Sequence, residues 1–352
     1  MSFDELHRLA VDSMLRLSLV EGFTVGHLRR FRSAASHFMR LPGIASPRGS
    51  SLLARAEAAL SSPEAGRKAD EVREACARSG VDILPCHSPE YPAALLSIPD
   101  APVVLYRAGS PWSGGTGVAV VGSRAPTGPG REFASLLAGD LAAAGCVVVS
   151  GMARGIDGAA HRGALRAGGA TVAVLGCGPD VAYPPEHARL RDEIAARGAV
   201  YSEYPPGAPP LPHRFPARNR IVSGLCLGVV VAEAPERSGA LITARLALEQ
   251  GREVMAVPGN PWFAHTAGSN RLLREGAVPV CSSADVIGAL GIPAPGGDLR
   301  SRILGALDRE RHAGEIAQAL SLGISQLLPV LTEMELANLV VKRAGDYYKR
   351  KS

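Results

Sequence analysis

The sequence predicts an α/β protein: a Rossmann-like, doubly wound, mostly parallel sheet, flanked by a small N-terminal helical domain and a C-terminal winged-helix domain. Three observations carry this expectation. In the middle of the chain, short apolar runs rich in β-branched residues alternate with helix-like stretches of about 10–15 residues, the pattern of βαβ units. Those runs are apolar throughout rather than alternating, as strands covered on both faces must be. A Pro/Gly break over 291–297 then separates a last set of three short helical patterns and a hairpin.

Residues 1–78 read as short helices, since Leu6, Leu9, Val11, Met14, Leu15 and Leu17 recur near helical spacing. Within them, 22–56 holds no acid but carries Arg29, Arg30, Arg32, Arg40, Arg48 and Arg55. That stretch suits nucleic acid and a solvated helix face equally. The central domain, 79–290, has strand candidates at 118–121, 146–149, 171–175, 200–201, 227–232 and 253–257, with helices such as 129–144 and 241–250 between them. Residues 291–299 read as a linker. In 300–352, helices are expected at 302–309, 313–319 and 325–337, followed by strands 339–342 and 346–349 around Gly345.

Composition narrows the function classes. The chain has 352 residues, with 38 Lys+Arg against 33 Asp+Glu and a net charge of +5, a mild tilt toward anionic partners. Hydrophobic residues at 46% and charged residues at 20% exclude wholesale disorder. No apolar run is long enough to span a bilayer, and the first residues lack an apolar signal core, so a cytoplasmic protein without membrane contact is expected. Six scattered cysteines without a CxxC pair, and no HExxH, give no metal or cofactor site.

In open α/β sheets ligands collect beyond the carboxyl ends of the strands. After 118–121 come Gly122, Ser123 and Arg124, then Thr127 and Pro129 opening a helix: an anion seat of backbone and guanidinium at a helix N-terminus. The next strand runs into Ser150, Gly151, Arg154 and Gly155, again entering a helix. Gly176, Gly178, Tyr183 and Pro184 follow a third strand. An acid-free run, 205–221, then holds His213, Arg214, Phe215, Arg218, Asn219 and Arg220, basic residues interleaved with an aromatic. This composition suits a phosphate-tracking groove with a base-stacking platform, or else a proline-stiffened surface loop. Ser238 and Gly239 begin a further helix on the same rim. A Walker P-loop and a GxGxxG fingerprint are both absent. Asp157 and His161, four apart on one helix, could serve as acid and base, though such a pair more commonly orients a turn. Glu203 and Glu233 end strands without a partner nucleophile.

Taken in order, these strand-end motifs resemble the DprA/Smf family of DNA-processing proteins. The resemblance is carried by 98–106 (Ile-Pro-Asp-Ala-Pro-Val-Val-Leu-Tyr), 118–124 (Val-Ala-Val-Val-Gly-Ser-Arg), 150–157 (Ser-Gly-Met-Ala-Arg-Gly-Ile-Asp) with Ala160 and His161, Arg218-Asn219-Arg220, 238–243 (Ser-Gly-Ala-Leu-Ile-Thr) and Val257-Pro258-Gly259. It is dense over about 80–280, and the stretch 336–348 fits the family's winged helix less sharply. The resemblance implies a sequence-independent single-stranded DNA binder rather than an enzyme. Such a protein works as a homodimer that protects incoming strands and loads a RecA-type recombinase in natural transformation. By motif, Gly122 and Arg124 would hold phosphate, Ser150, Gly151 and Arg154 would line the same groove, and Arg218 and Arg220 would support it. The family commonly has lysine where Pro185 stands here, so either Arg189 substitutes or that side binds more weakly.

Two other functions share parts of this pattern. A nucleotide N-glycosidic hydrolase of the LOG, lysine-decarboxylase-like type would need a PGGxGT motif, and Pro258-Gly259 is followed by Asn260. A winged-helix regulator would read duplex DNA, yet 325–337 contains Glu333 and Glu335 and no Lys or Arg.

Overall fold

The computed structural model describes residues 3–29, 50–112, 115–292, 299–307, 309–320 and 322–351. Most of the acid-free stretch 22–56, Arg30, Arg32, Arg40 and Arg48 included, lies outside these, as does the middle of the 291–299 linker.

Contacts divide the chain into two units, Met1–Leu290 and Gly291–Ser352. The first begins with α1 (Phe3–Ser18), α2 (Ser50–Ser61) and α3 (Pro63–Ser79). Helix α3 starts on a Ser62 cap and stops at Gly80, whose φ of +61° is the left-handed conformation that ends a helix cheaply. The apolar faces of these helices are buried in the same core as the sheet: Leu15 and Leu17 of α1, Ala56 of α2 and Ala69 of α3 pool with Leu84, Leu105 and Val229. The helical region expected as a domain of its own is therefore part of one continuous core with the central sheet.

Nine strands follow: β1 (Asp82–Pro85), β2 (Val104–Gly109), β3 (Gly117–Val121), β4 (Val147–Ser150), β5 (Thr171–Leu175), β6 (Ala199–Ser202), β7 (Gly228–Val231), β8 (Glu253–Ala256) and β9 (Val278–Pro279). Their order in the sheet is β1-β2-β6-β5-β4-β3-β7-β8-β9. From β6 to β9 every pairing is parallel; β2 runs antiparallel to β6, and β1 to β2. Strands β3, β4, β5 and β7 are buried along their whole length. Their side chains face helices on both sides, which explains the unbroken apolar runs. The connecting helices are α4 (Gly128–Ala143), α5 (Ile156–Arg166), α6 (Ala188–Arg197), α7 (Arg214–Gly224), α8 (Gly239–Glu249), α9 (Ala267–Arg274) and α10 (Ser283–Ala289).

The winding fixes where a ligand can sit. The chain leaves β3 and builds outward through β4, β5 and β6, then crosses back to β7 on the other side of β3. Helices after β3 and β7 thus diverge to opposite faces, opening a crevice at their carboxyl ends.

The second unit comprises α11 (Leu299–Ala306), β10 (Arg311–His312), α12 (Ala313–Leu320), α13 (Ile324–Leu336), β11 (Val340–Arg343) and β12 (Tyr347–Arg350), with strand order β10-β12-β11. Ile303, Ile316, Leu327, Leu331, Met334 and Tyr348 form its core. This is the winged helix, and the short β10 is the one element of it that the sequence pattern did not indicate.

Candidate nucleic-acid groove

The loops after β3, β4 and β7, together with α7 and the start of α8, enclose a groove of about 660 Å³. Gly122, Ser123, Arg124, Gly151, Tyr183, Arg218, Asn219, Ser238 and Gly239 all line it. Arg154 lines an adjoining recess shared with Arg124, Tyr183, Phe215 and Arg218. Residues spread over more than a hundred positions of sequence thus converge at the switch point of the sheet.

Arg218 forms the floor. It is 4% exposed, and its Nη1 donates to the carbonyls of Gly151 (2.7 Å) and Val174, while Nε donates to Asn219 Oδ1 at 3.2 Å. Burial works against its charge, and the nearby Asp157 carboxylate works for it. Asp157 is pushed up by its own burial, an effect opposed by Arg218 and by the Ala153 N–H that it accepts at 3.2 Å. Gly151 is required here for space: a Cβ would sit 2.5 Å from Arg218 Nη2. The guanidinium lies directly on that backbone.

Above the floor stands an aromatic wall. Tyr183 and Phe215 have ring centroids 5.0 Å apart, tilted by 36°. The exposed Arg124 guanidinium sits 5.7 Å over the Phe215 ring. Gly176 does not reach the groove but supports this wall, since a Cβ there would meet Phe215 Cδ1 at 3.0 Å.

The anion seat expected at the start of α4 is already filled from within. Glu233, 4% exposed at the end of β7, accepts the Thr127 N–H at 2.8 Å and the Thr127 hydroxyl at 2.5 Å. Its carboxylate lies so close that a Cβ on Gly130 would be 2.3 Å from Oε2. A carboxylate at a helix N-terminus satisfies the amides and the dipole that would otherwise attract phosphate. The cations left to a ligand on this rim are Arg124 and the exposed Arg237, beside the turn of Ser238, Gly239 and Ala240 that opens α8.

Four other residues predicted for the site do structural work. Ser150 is fully buried and donates from Oγ to the Val120 carbonyl at 2.7 Å, tying β4 to β3. Gly155 has φ +76°, and a Cβ would collide with Ser123 O at 2.3 Å, so it welds the first two turns together. Gly178 is wedged among Asp180, Pro205 and Gly207. Arg220 turns away from the groove: Nη2 and Nη1 grip Glu203 at 2.7 and 2.9 Å, and Nε pairs with Asp100 at 3.2 Å. Arg154 is exposed and paired with Glu186. Pro185 lies in a short 3-10 turn, and Arg189 lines a different cleft, so it does not stand in for the missing lysine within the groove.

His161 is fully buried, bonded through Nδ1 to Thr171 Oγ1 at 2.7 Å and held neutral by burial, which lowers its pKa to about 3. Asp157 holds the Ala153 amide ahead of α5 while His161 ties that helix to β5, so the two present no acid–base couple to the groove. No cluster of metal-ligating side chains occurs among the described residues. Arg237, Pro210 and Pro212 also line the groove and carry no sequence signal of their own, except that Arg237 directly precedes the Ser238-Gly239 turn.

Residues 82–291 match the family DNA recombination-mediator protein A, and 291–346 match the DprA winged helix domain. The chain is 40% identical to the DNA processing protein DprA of Bacillus subtilis over 221 residues, 62% of this chain and 74% of that one. Against Protein Smf of Synechocystis the identity is 43% over 208 residues, spanning 58% of this chain and about half, 52%, of the relative. The X-ray structure of DprA from Streptococcus pneumoniae superposes with TM-score 0.63 at 33% identity, covering 82% of this chain and 98% of that one. DNA processing protein A from Helicobacter pylori, solved for its single-stranded DNA binding mode, gives TM-score 0.54 at 30% identity over 61% of this chain and 97% of that one.

Proposed function

The chain belongs to the DNA recombination-mediator protein A family, and from that premise we propose that it binds single-stranded DNA, without sequence preference, in the groove between β3 and β7. One observation carries the reading: exposed Arg124 lies against a Tyr183–Phe215 ring pair, on a rim that also presents Arg237. Guanidinium groups attract backbone phosphate and release its counterions, while rings accept any unpaired base by stacking. A duplex keeps its bases stacked on one another and has no face to offer those rings. The Helicobacter pylori relative is itself a single-strand binder.

Gly122, Ser123, Asn219, Ser238 and Gly239 would line the path of the strand, and Arg218, seated on Gly151, supplies buried positive potential from the floor. The function is binding rather than turnover: the two buried carboxylates nearest the groove, Asp157 and Glu233, are consumed in holding Ala153 and Thr127. In the cell the protein would act as a cytoplasmic homodimer that protects incoming strands and loads a RecA-type recombinase during transformation. No described helix is long and apolar enough to cross a membrane.

The test is equilibrium binding of single-stranded and double-stranded oligonucleotides across a salt series, with light scattering to read assembly. Strong preference for single strands, similar for different base compositions, is expected. Equal or tighter binding of duplex would refute the reading.

A further inference from the structure

A second opening, also about 660 Å³, lies between α5 and α6. Arg162 and Arg166 line it from α5, Arg189 and Arg197 from α6, against Glu186 and Glu193. Four positive charges face two negative ones. On each helix the arginines and Glu193 recur every four residues, so neighbouring side chains stand about 5–6 Å apart in a row. Leu165 and Leu190, 7% and 4% exposed, form an apolar bed on which the arginine stems can lie. Arg166 is tied to Ser135 and Arg197 to the Leu165 carbonyl at 3.1 Å. Arg162 and Arg189 are exposed and form no ion pair among the described residues.

This cleft connects to the groove through one shared pair. Glu186 lines the cleft, and its partner Arg154 lines the recess that holds Arg124, Tyr183 and Phe215. The Arg154 and Glu186 side chains are 64% and 49% exposed, and a pair this open to water is weak. A phosphate arriving from the groove can take Arg154 from Glu186 without breaking anything buried.

We propose that the α5–α6 cleft is a second phosphate track for the same single strand, which would run from the Phe215 wall across the Arg154–Glu186 pair to Arg162 and Arg189. The inference rests on the single-strand reading of the groove.

The test uses the full chain and oligothymidylates of graded length, from about 4 to about 16 nucleotides, the range typical of single-strand sites. Wild type, Arg124→Ala and the double variant Arg162→Ala/Arg189→Ala are compared across a salt series; the replaced side chains are exposed, so folding is retained. The double variant should bind the shortest strands like wild type. On the longest strands it should bind more weakly, with a log–log salt slope shallower by about 1.4, two contacts at about 0.7 each. Wild-type affinity and slope at every length would overturn the proposal, and so would an equal loss at all lengths. An acidic protein segment as the true occupant would give the first of those results. Arg124→Ala reports separately on the groove: its failure to weaken binding at any length would sink the single-strand reading itself.

Discussion

Replacing Arg124 by alanine separates recognition from stability more cleanly than any other change in the groove. The side chain is exposed, and its one contact of note is the Phe215 ring face at 5.7 Å. An exposed cation–π contact contributes about 0.5–1 kcal/mol, so the folded state should lose no more than that. Binding should suffer more. One charge-assisted hydrogen bond to phosphate contributes about 1.5–3 kcal/mol, a loss of roughly tenfold to a hundredfold in affinity. The salt slope should also flatten by about 0.7. Between about 50 and 200 mM salt, wild-type affinity would then fall about 2.6 times further than that of the variant. Fluorescence anisotropy with single strands of several compositions reads both quantities, and urea unfolding reads stability. An unchanged slope in a folded variant would refute the placement of phosphate at Arg124. A loss confined to one base composition would refute sequence independence.

Other expectations follow from the same geometry. Phe215→Ala should weaken single-strand binding by about 1–3 kcal/mol while leaving the salt slope as in wild type, since a stacked base carries no counterion; a changed slope would show that the ring serves mainly to hold Arg124. Arg220→Ala should do the reverse, destabilising the fold by about 3–5 kcal/mol in urea by stripping Glu203 of its partner, with the salt slope preserved. A shallower slope there would place Arg220 in contact with DNA. Folded His161 stays neutral down to about pH 3, whereas the unfolded side chain takes a proton near 6.5. Between those values the unfolded state holds the extra proton, so stability should fall as pH falls through that window. The dependence should shrink in His161→Gln, and an identical pH profile in that variant would assign the effect elsewhere.

Much of the groove could be read from the sequence because each wall is a local signature: a buried strand, then Gly or Ser, then a helix. Gly122, Gly151 and Ser238-Gly239 all fell where such turns predicted. What escaped was what depends on distant partners or on rotation. Glu233 occupies the N-terminus of α4 from 106 residues away, and nothing near Thr127 announces it. Arg218 and Arg220 look equivalent in sequence, yet two residues turn a helix by about 200°, sending one beneath the groove and the other to Glu203. Strands β1, β2 and β9 carry weaker signals: β1 includes Asp82 and Pro85, residues depleted in strands, Arg107 interrupts the apolar run of β2, and β9 has only two residues. Residues 1–78 change composition at their boundary, but a boundary in composition need not be one in packing, as the shared burial of Leu15 and Leu105 shows.

Amide hydrogen exchange on the full chain, with and without oligothymidylate, tests the central claim most directly. Slowed exchange should concentrate in the turns around 122–125, 151–155 and 237–240 and at the start of α7. Protection confined to the winged helix, with those turns exchanging as in the free protein, would contradict it.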